Sequence, residues 1–137
     1  MTTLSKTFGL ISGDRLVHPI KGFPTAKHHG IFLGTDQFGN QWISENHKSK
    51  GVQVVPAESY IAEYGQIERI ERFVGSDAER YFVVSRALSQ AGKPYDLVIN
   101  NCEHHASYAQ NGISESKQVR NVFLGALGLI IAVALLD

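Results

Sequence analysis

The sequence predicts an α+β fold, an antiparallel β-sheet packed against helices. Three observations point there: strand-like segments crowd the first half of the chain, two capped helical segments follow, and one turn-forming loop joins two strands closely enough for antiparallel pairing. In chain order, Leu16 to Ile20 and His28 to Gly34 have strand character, the second with Ile31 and Phe32 between glycines. Trp42 to Asn46 and Val52 to Val55 read as two more, and Pro56 ends the fourth or marks an edge. The loop Thr35-Asp36-Gln37-Phe38-Gly39-Asn40 has the Asp, Gly and Asn expected where a chain reverses, so the second and third strands form a hairpin. A helix starts at Ser76, whose hydroxyl and Glu79 make a capping box. Tyr81, Val84, Leu88 and Ala91 follow at helical spacing, and Gly92 and Pro94 stop it. A shorter helix takes Asn100 or Asn101 as its N-cap, runs from Cys102 to about Gln110 and ends at Asn111-Gly112.

With 137 residues, 43% of them hydrophobic, the chain suffices for one domain with its own core and not for two. That body is expected over residues 1–120, with 121–137 as a tail. Thirteen Lys and Arg balance thirteen Asp and Glu, so the excess positive charge that a nucleic-acid partner requires is missing. A single cysteine excludes an intrachain disulfide framework and any zinc site built from several thiolates, and suits a reducing compartment. The first fifteen residues hold no apolar run of the kind a secretory signal has, so a cytoplasmic location is expected.

From Val122 to Leu136 the chain carries no charge and no polar side chain. As a helix this stretch reaches roughly 22 Å, short of a hydrocarbon core of about 30 Å. It suits a segment that dips into one leaflet, tilts across a thinned bilayer or packs with copies of itself in a homo-oligomer; a buried core helix is the bland alternative. Lys117 and Arg120 precede it, where they would meet anionic headgroups, and Gly125 and Gly128 permit close helix approach.

The chemistry centres on Cys102. In the first turn of its helix, the unpaired amides and the positive end of the helix dipole stabilise a thiolate more than a thiol, and the thiolate is the nucleophile. An isolated cysteine is also, often, a small buried hydrophobe, so a base decides the matter. If the hairpin closes with Gly34 facing Gln41, constant register sets His28 opposite His47 on one face, close enough for one imidazole to orient the other. His29 points to the opposite face. A slip of one residue would substitute Asn46 for His47 as the orienting group, and chance pairing of two surface histidines is the plain alternative. A nucleophile at a helix start, a base on a strand and a group orienting the base are the parts needed for covalent acyl transfer. Backbone amides around Cys102 would serve the oxyanion. His104 and Tyr108 are nearby, more naturally as packing or first-turn residues.

Asn101-Cys102-Glu103-His104 within YDLVINNCEHHASYAQNG, preceded by KHHGIFLG and by Gly13-Asp14-Arg15-Leu16, resembles the lecithin:retinol acyltransferase family over about Gly13 to Val119. Ser116-Lys117-Gln118-Val119 also looks like a segment that follows the motif in bacterial members, while the aromatic usual after the motif is His105 here. The resemblance implies a circularly permuted papain-like or NlpC-type fold with His-bearing strands ahead of the Cys-bearing helix. It implies Cys102 as nucleophile, His28 as base and a later strand histidine, His47, in support. It further implies phospholipid or another acyl ester as substrate, transfer or hydrolysis through an acyl-cysteine, no cofactor, and membrane association through residues 122–136.

Competing classes remain at this level. The same three residues would serve an NlpC-type cysteine peptidase or amidase, and a non-enzymatic membrane adaptor would retain the tail with an idle site. A metal site built from His28, His47 and Cys102 has suitable ligand types but lacks the short ligand pairs that accompany structural zinc, so no metal is expected.

Overall fold

The computed structural model describes residues 4–122 and residue 124. The fold is α+β. In chain order it comprises α1 (Leu4–Phe8), β1 (Arg15–Ile20), β2 (Phe23–Thr35), β3 (Gln41–His47), β4 (Gly51–Pro56), α2 (Ala57–Tyr64), β5 (Arg69–Glu71), α3 (Asp77–Ser89) and α4 (Cys102–Asn111). The five strands make one antiparallel sheet in the order β4-β3-β2-β1-β5.

Both faces of the sheet are covered, which is why β2 runs His-His-Gly-Ile-Phe-Leu rather than alternating polar with apolar. On one face Leu16, Phe32 and Ile43 pack with Leu10 and with Ala57 and Tyr60 of α2. On the other, Ile31 packs with Val83 and Ala87 of α3 and with Ala106 and Ala109 of α4. The alanines let α4 lie close to the sheet. Gly30 does the same on the first face: an ideal Cβ there would stand 2.5 Å from the hydroxyl oxygen of Tyr60.

The helix caps are realised as expected, while α3 ends at Ser89, short of the Ala91 expected within it. The capping box of Ser76 and Glu79 is present at α3, and at α4 the Asn101 side chain accepts from the amides of Glu103 and His104. His104 completes that cap by accepting from the Asn101 amide at 3.1 Å, and Gly112 adopts the left-handed conformation at φ 73° that ends the helix. Strand boundaries are wider than expected. β2 begins at Phe23, because Pro19 still pairs with Lys27 and, after a bulge, Ile20 with Phe23. Helices α1 and α2 and strand β5 were not expected.

The hairpin of β2 and β3 departs from the expected register at both ends. Thr35 faces Gln41 and Gly34 faces Trp42, since the turn is Asp36–Asn40, held by Asp36 accepting from the amides of Phe38 and Asn40. An irregularity at Leu33 then restores the expected pairing for Phe32 with Ile43, Ile31 with Ser44 and Gly30 with Glu45. There the ladder stops. β2 continues with β1 and β3 continues with β4, so the two central strands part company beyond Gly30 and Glu45. His28 pairs with His18 of β1, not with His47.

After α4, Ser116 accepts from the Val119 amide and residues 117–122 are helical. The apolar helix expected over residues 122–136 falls almost wholly outside the described residues. Among the described residues no helix is long and apolar enough to cross a membrane.

Candidate active site

The parting of β2 from β3 makes the site. Pairing of His28 with His18 turns the main-chain groups of Lys27 away from β1, toward the side that β3 has vacated. Side chains take them up there. The Lys27 carbonyl lies 3.5 Å from Sγ of Cys102, in reach of the thiol proton, and the Lys27 amide donates to Oε1 of Gln118 at 3.1 Å. Asn46 of β3 holds the opposite wall, its Nδ2 donating to the carbonyls of Asn100 at 2.7 Å and Asn101 at 3.2 Å. The start of α4 is thus seated between the two diverging strands.

Cys102 and His28 are both buried there, the sulfur against the carbonyl of Lys27, the residue before His28, and close enough to bear on the protonation of the imidazole. His28 Nε2 also lies 3.2 Å from Oε1 of Glu45, which projects from the same face two positions diagonally across the hairpin. The contact is electrostatic more than a well-aligned hydrogen bond, since Nε2 finds no acceptor in its donor direction. Burial favours the neutral ring, but Cys102 and Glu45 outweigh it and hold the His28 pKa above its ordinary value. Burial likewise pushes the Glu45 carboxyl up. Contacts from His28, Tyr64 and Gln53 overcome that and hold it below the usual carboxylate range. Tyr64 donates to Glu45 at 2.6 Å and stacks on His28, so one residue of α2 fixes both partners.

His47 is the correction. Its Nε2 lies 2.8 Å from Oε1 of Glu63, and its Nδ1 accepts from the amides of Ser49 and Lys50. With both ring nitrogens occupied, it ties the β3–β4 turn to α2 and does not orient His28. The place expected for it is taken by Glu45. The alternative residue, Asn46, serves the start of α4 instead.

His29, on the opposite face as expected, accepts at Nδ1 from Nε of Arg15 at 3.0 Å. Arg15 also donates to the Ser107 hydroxyl and to the Glu103 carbonyl, binding β1 to the helix that carries the sulfur. Burial pushes the His29 pKa down to about 2, so this ring is a neutral strut. Asp14, fully buried, accepts from the amides of Ile11 and Phe73 and pairs with Arg72 and Arg80. Both residues of the Asp14-Arg15 pair are therefore structural. His104 caps α4, and Tyr108 gives its carbonyl to Arg86.

Four residues at the site escaped sequence reasoning: Glu45, Tyr60, Tyr64 and His18. His18 sits beside His28 with ring centroids 6.5 Å apart and donates from Nδ1 to the Gln66 carbonyl, while burial pushes its pKa down to about 4. Glu45 had one available signal, a lone carboxylate at the same strand parity as His47. Tyr60 and Tyr64 stand four apart, a helical spacing within a segment that has no side-chain N-cap.

Chemically, the cluster offers a thiol, an imidazole biased toward its protonated form and a buried carboxylate bearing on that imidazole. These are the parts of a nucleophile, a base and an orienting group. The α4 cap engages the amides of Glu103 and His104 and leaves that of Cys102 available at the helix start. Among the described residues, no group of three or more His, Cys, Asp or Glu side chains is disposed to hold a metal ion. Neither a protein-family model nor a curated protein matches this chain.

Proposed function

We propose that this chain is a thiol-dependent acyltransferase or lipid-ester hydrolase of the lecithin:retinol acyltransferase type, working through an acyl-Cys102 intermediate. The observation that carries the reading is that, where β2 and β3 diverge, the Cys102 sulfur is seated against β2 at Lys27, next to His28, whose imidazole lies 3.2 Å from Glu45. In the proposed cycle His28 takes the thiol proton as Sγ attacks the ester carbonyl, and the Cys102 amide donates to the oxyanion that forms. His28 then protonates the departing alkoxide. An alcohol, an amine or water, deprotonated by the same imidazole, attacks the thioester and releases the sulfur. Glu45 keeps the ring in place and stabilises its charged form.

Strands bearing histidine ahead of a helix bearing cysteine support a permuted papain-like, NlpC-type arrangement. Two features favour a lipid ester over a peptide. Leu97 and Ile99, just ahead of the α4 cap in the chain, are 69% and 71% exposed and offer apolar surface close in sequence to Cys102. The apolar stretch 122–136 would hold the protein at the cytoplasmic face of a membrane, where the ester lies beside the sulfur and water is scarce.

Intact-protein mass spectrometry after incubation with mixed phospholipid vesicles tests the proposal. The expected result is an acyl-sized mass increase that is absent from Cys102→Ala. Labelling by peptide-like substrates alone would favour the peptidase reading and reject the lipid one.

A further inference from the structure

The two ends of the sheet differ in charge and in apolar surface. In an antiparallel ladder successive links fall at opposite ends, so the β1–β2 link at Lys21-Gly22 and the β3–β4 link at residues 48–50 share one end, and the β2–β3 turn lies at the other. The first end is where β2 and β3 diverge and the start of α4 enters, so Cys102 belongs to it.

Three further segments are tied to this end. The loop ahead of α4 closes on Asp96, which accepts the amides of Val98 and Ile99, and Asn101 donates to the Leu97 carbonyl at 2.9 Å. The turn after α3 meets the start of β4, where the Val52 amide donates to the Lys93 carbonyl. Oε1 of Glu103 accepts from the Ser116 hydroxyl at 2.6 Å and from the Gln118 amide at 2.9 Å, which holds the helical residues 117–122 beside the first turn of α4.

Together these segments bring six exposed cations to one end: Lys21, Lys48, Lys50, Lys93, Lys117 and Arg120. Among the described residues none of the six belongs to an ion pair. The neighbouring carboxylates are engaged elsewhere, Glu63 with His47, Glu68 with Lys27 and Arg69, and Asp96 with its own loop. The whole chain has no net charge, so this excess is one of position. Large apolar side chains stand among the cations and face outward. Phe23, beside the β1–β2 link, is 63% exposed, and Leu97, Val98 and Ile99 are exposed in succession, in a loop held by its own hydrogen bonds.

We propose that this end of the folded body is a docking face for an anionic lipid bilayer, with Phe23 and the loop 97–99 seated at the boundary of the acyl chains and the six cations among the headgroups. The choice of partner rests on the lipid-ester reading above. The proposal adds that the contact is made by the body itself, with the end that holds Cys102 turned to the bilayer, and not by the C-terminal stretch alone.

Trp42, the only tryptophan, pairs with Gly34 toward the other end of the sheet and is an internal control. The full chain is mixed with vesicles of phosphatidylserine and phosphatidylcholine whose acyl chains carry bromine, which quenches indole on contact. Phe23→Trp and, separately, Ile99→Trp are expected to shift the new emission to shorter wavelength and to lose about half of it, while the parent, with Trp42 alone, keeps its emission. Lys48→Glu combined with Lys50→Glu, on the other hairpin link, is expected to weaken binding to these vesicles by about tenfold or more. Bound protein with neither new indole quenched overturns the proposal, because the C-terminal stretch then holds the chain unaided. Quenching of Trp42 to the same degree overturns it too, as does binding that ignores the charge reversals. Absence of binding by the full chain also overturns it and would leave the face to an acidic protein. The mass of Cys102 is read on the same samples: docking without acylation overturns the acyl-transfer reading and retains the face, and acylation without docking does the reverse.

Discussion

The imidazole of His28 lies flat on the ring of Tyr64, with centroids 3.7 Å apart and planes 7° from parallel. The Tyr64 hydroxyl meanwhile donates to Glu45, the carboxylate that faces the same imidazole. One side chain of α2 therefore sets both the plane of the ring and the position of the charge beside it. Tyr64→Phe keeps the stacking and removes the hydrogen bond to a buried carboxylate. It is expected to cost about 2 kcal/mol of stability in urea unfolding, and a loss below a few tenths would mean that water replaces the hydroxyl.

Glu45→Gln removes the charge that helps to hold His28 protonated. The His28 pKa, followed by NMR titration of its ring protons, is expected to fall by about a unit or more. An unchanged titration would show that Cys102 alone sustains the shift.

His28 and His47 are expected to separate cleanly. His28→Gln should slow alkylation of Cys102 by iodoacetamide at neutral pH by about tenfold or more. His47→Ala should leave that rate within about twofold and lower unfolding free energy by about 1 kcal/mol, through loss of its contacts with Glu63 and the β3–β4 turn. Equal loss of reactivity in both variants would restore His47 to the site.

Acid is expected to destabilise the fold. His18 and His105, with pKa values pushed down to about 4, and His29, at about 2, are held neutral by burial, each below the ordinary value of 6.5. The unfolded chain binds protons at these rings first, so stability falls as pH drops from 6.5 toward 4, by on the order of 3 kcal/mol for His18 alone. His28 has the opposite sign. Its raised pKa contributes stability that is complete below 6.5 and is lost as pH rises through the folded-state value. Being complete already, the His28 contribution does not offset the fall below 6.5, so the urea midpoint should decline on acidification through that range, and His18→Gln should flatten the decline.

Gly30→Ala tests the seat of α2. The new Cβ would meet Tyr60 at 2.5 Å from its hydroxyl oxygen and 2.8 Å from the carbon bearing it, and Tyr60 is rigid and fully buried. A loss of about 1–3 kcal/mol is expected, together with slower alkylation of Cys102, because α2 carries Tyr64 away from His28.

The parts of the molecule that were legible in the sequence are those whose signals are local. Ser76 with Glu79, Asn101 and Gly112 each write a helix terminus into one or two residues: α3 starts, and α4 starts and ends, where those residues say. Helix α2 writes only its C-terminal end, at Gly65, whereas its N-cap is Pro56, with no side-chain hydrogen bond, and it is eight residues long. It is stabilised instead by Tyr60 lying over Gly30, a contact between residues thirty apart. The hairpin shows the same division. Its middle register follows from the turn and strand pattern, whereas the end of the ladder at Glu45 arises where the start of α4 enters between the strands. That insertion replaces His47 by Glu45 beside His28, and no nearest-neighbour pattern in β3 encodes it.

The shared carboxylate of Glu103 joins the nucleophile mechanically to the end of the chain. One residue from the sulfur, it grips Ser116 and Gln118, from which the C-terminal stretch departs. Ser116 is tied to Asn101 as well and Gln118 to the Lys27 amide, so a displacement of this segment reaches Cys102 from two sides at once, through the first turn of α4 and through the edge of β2.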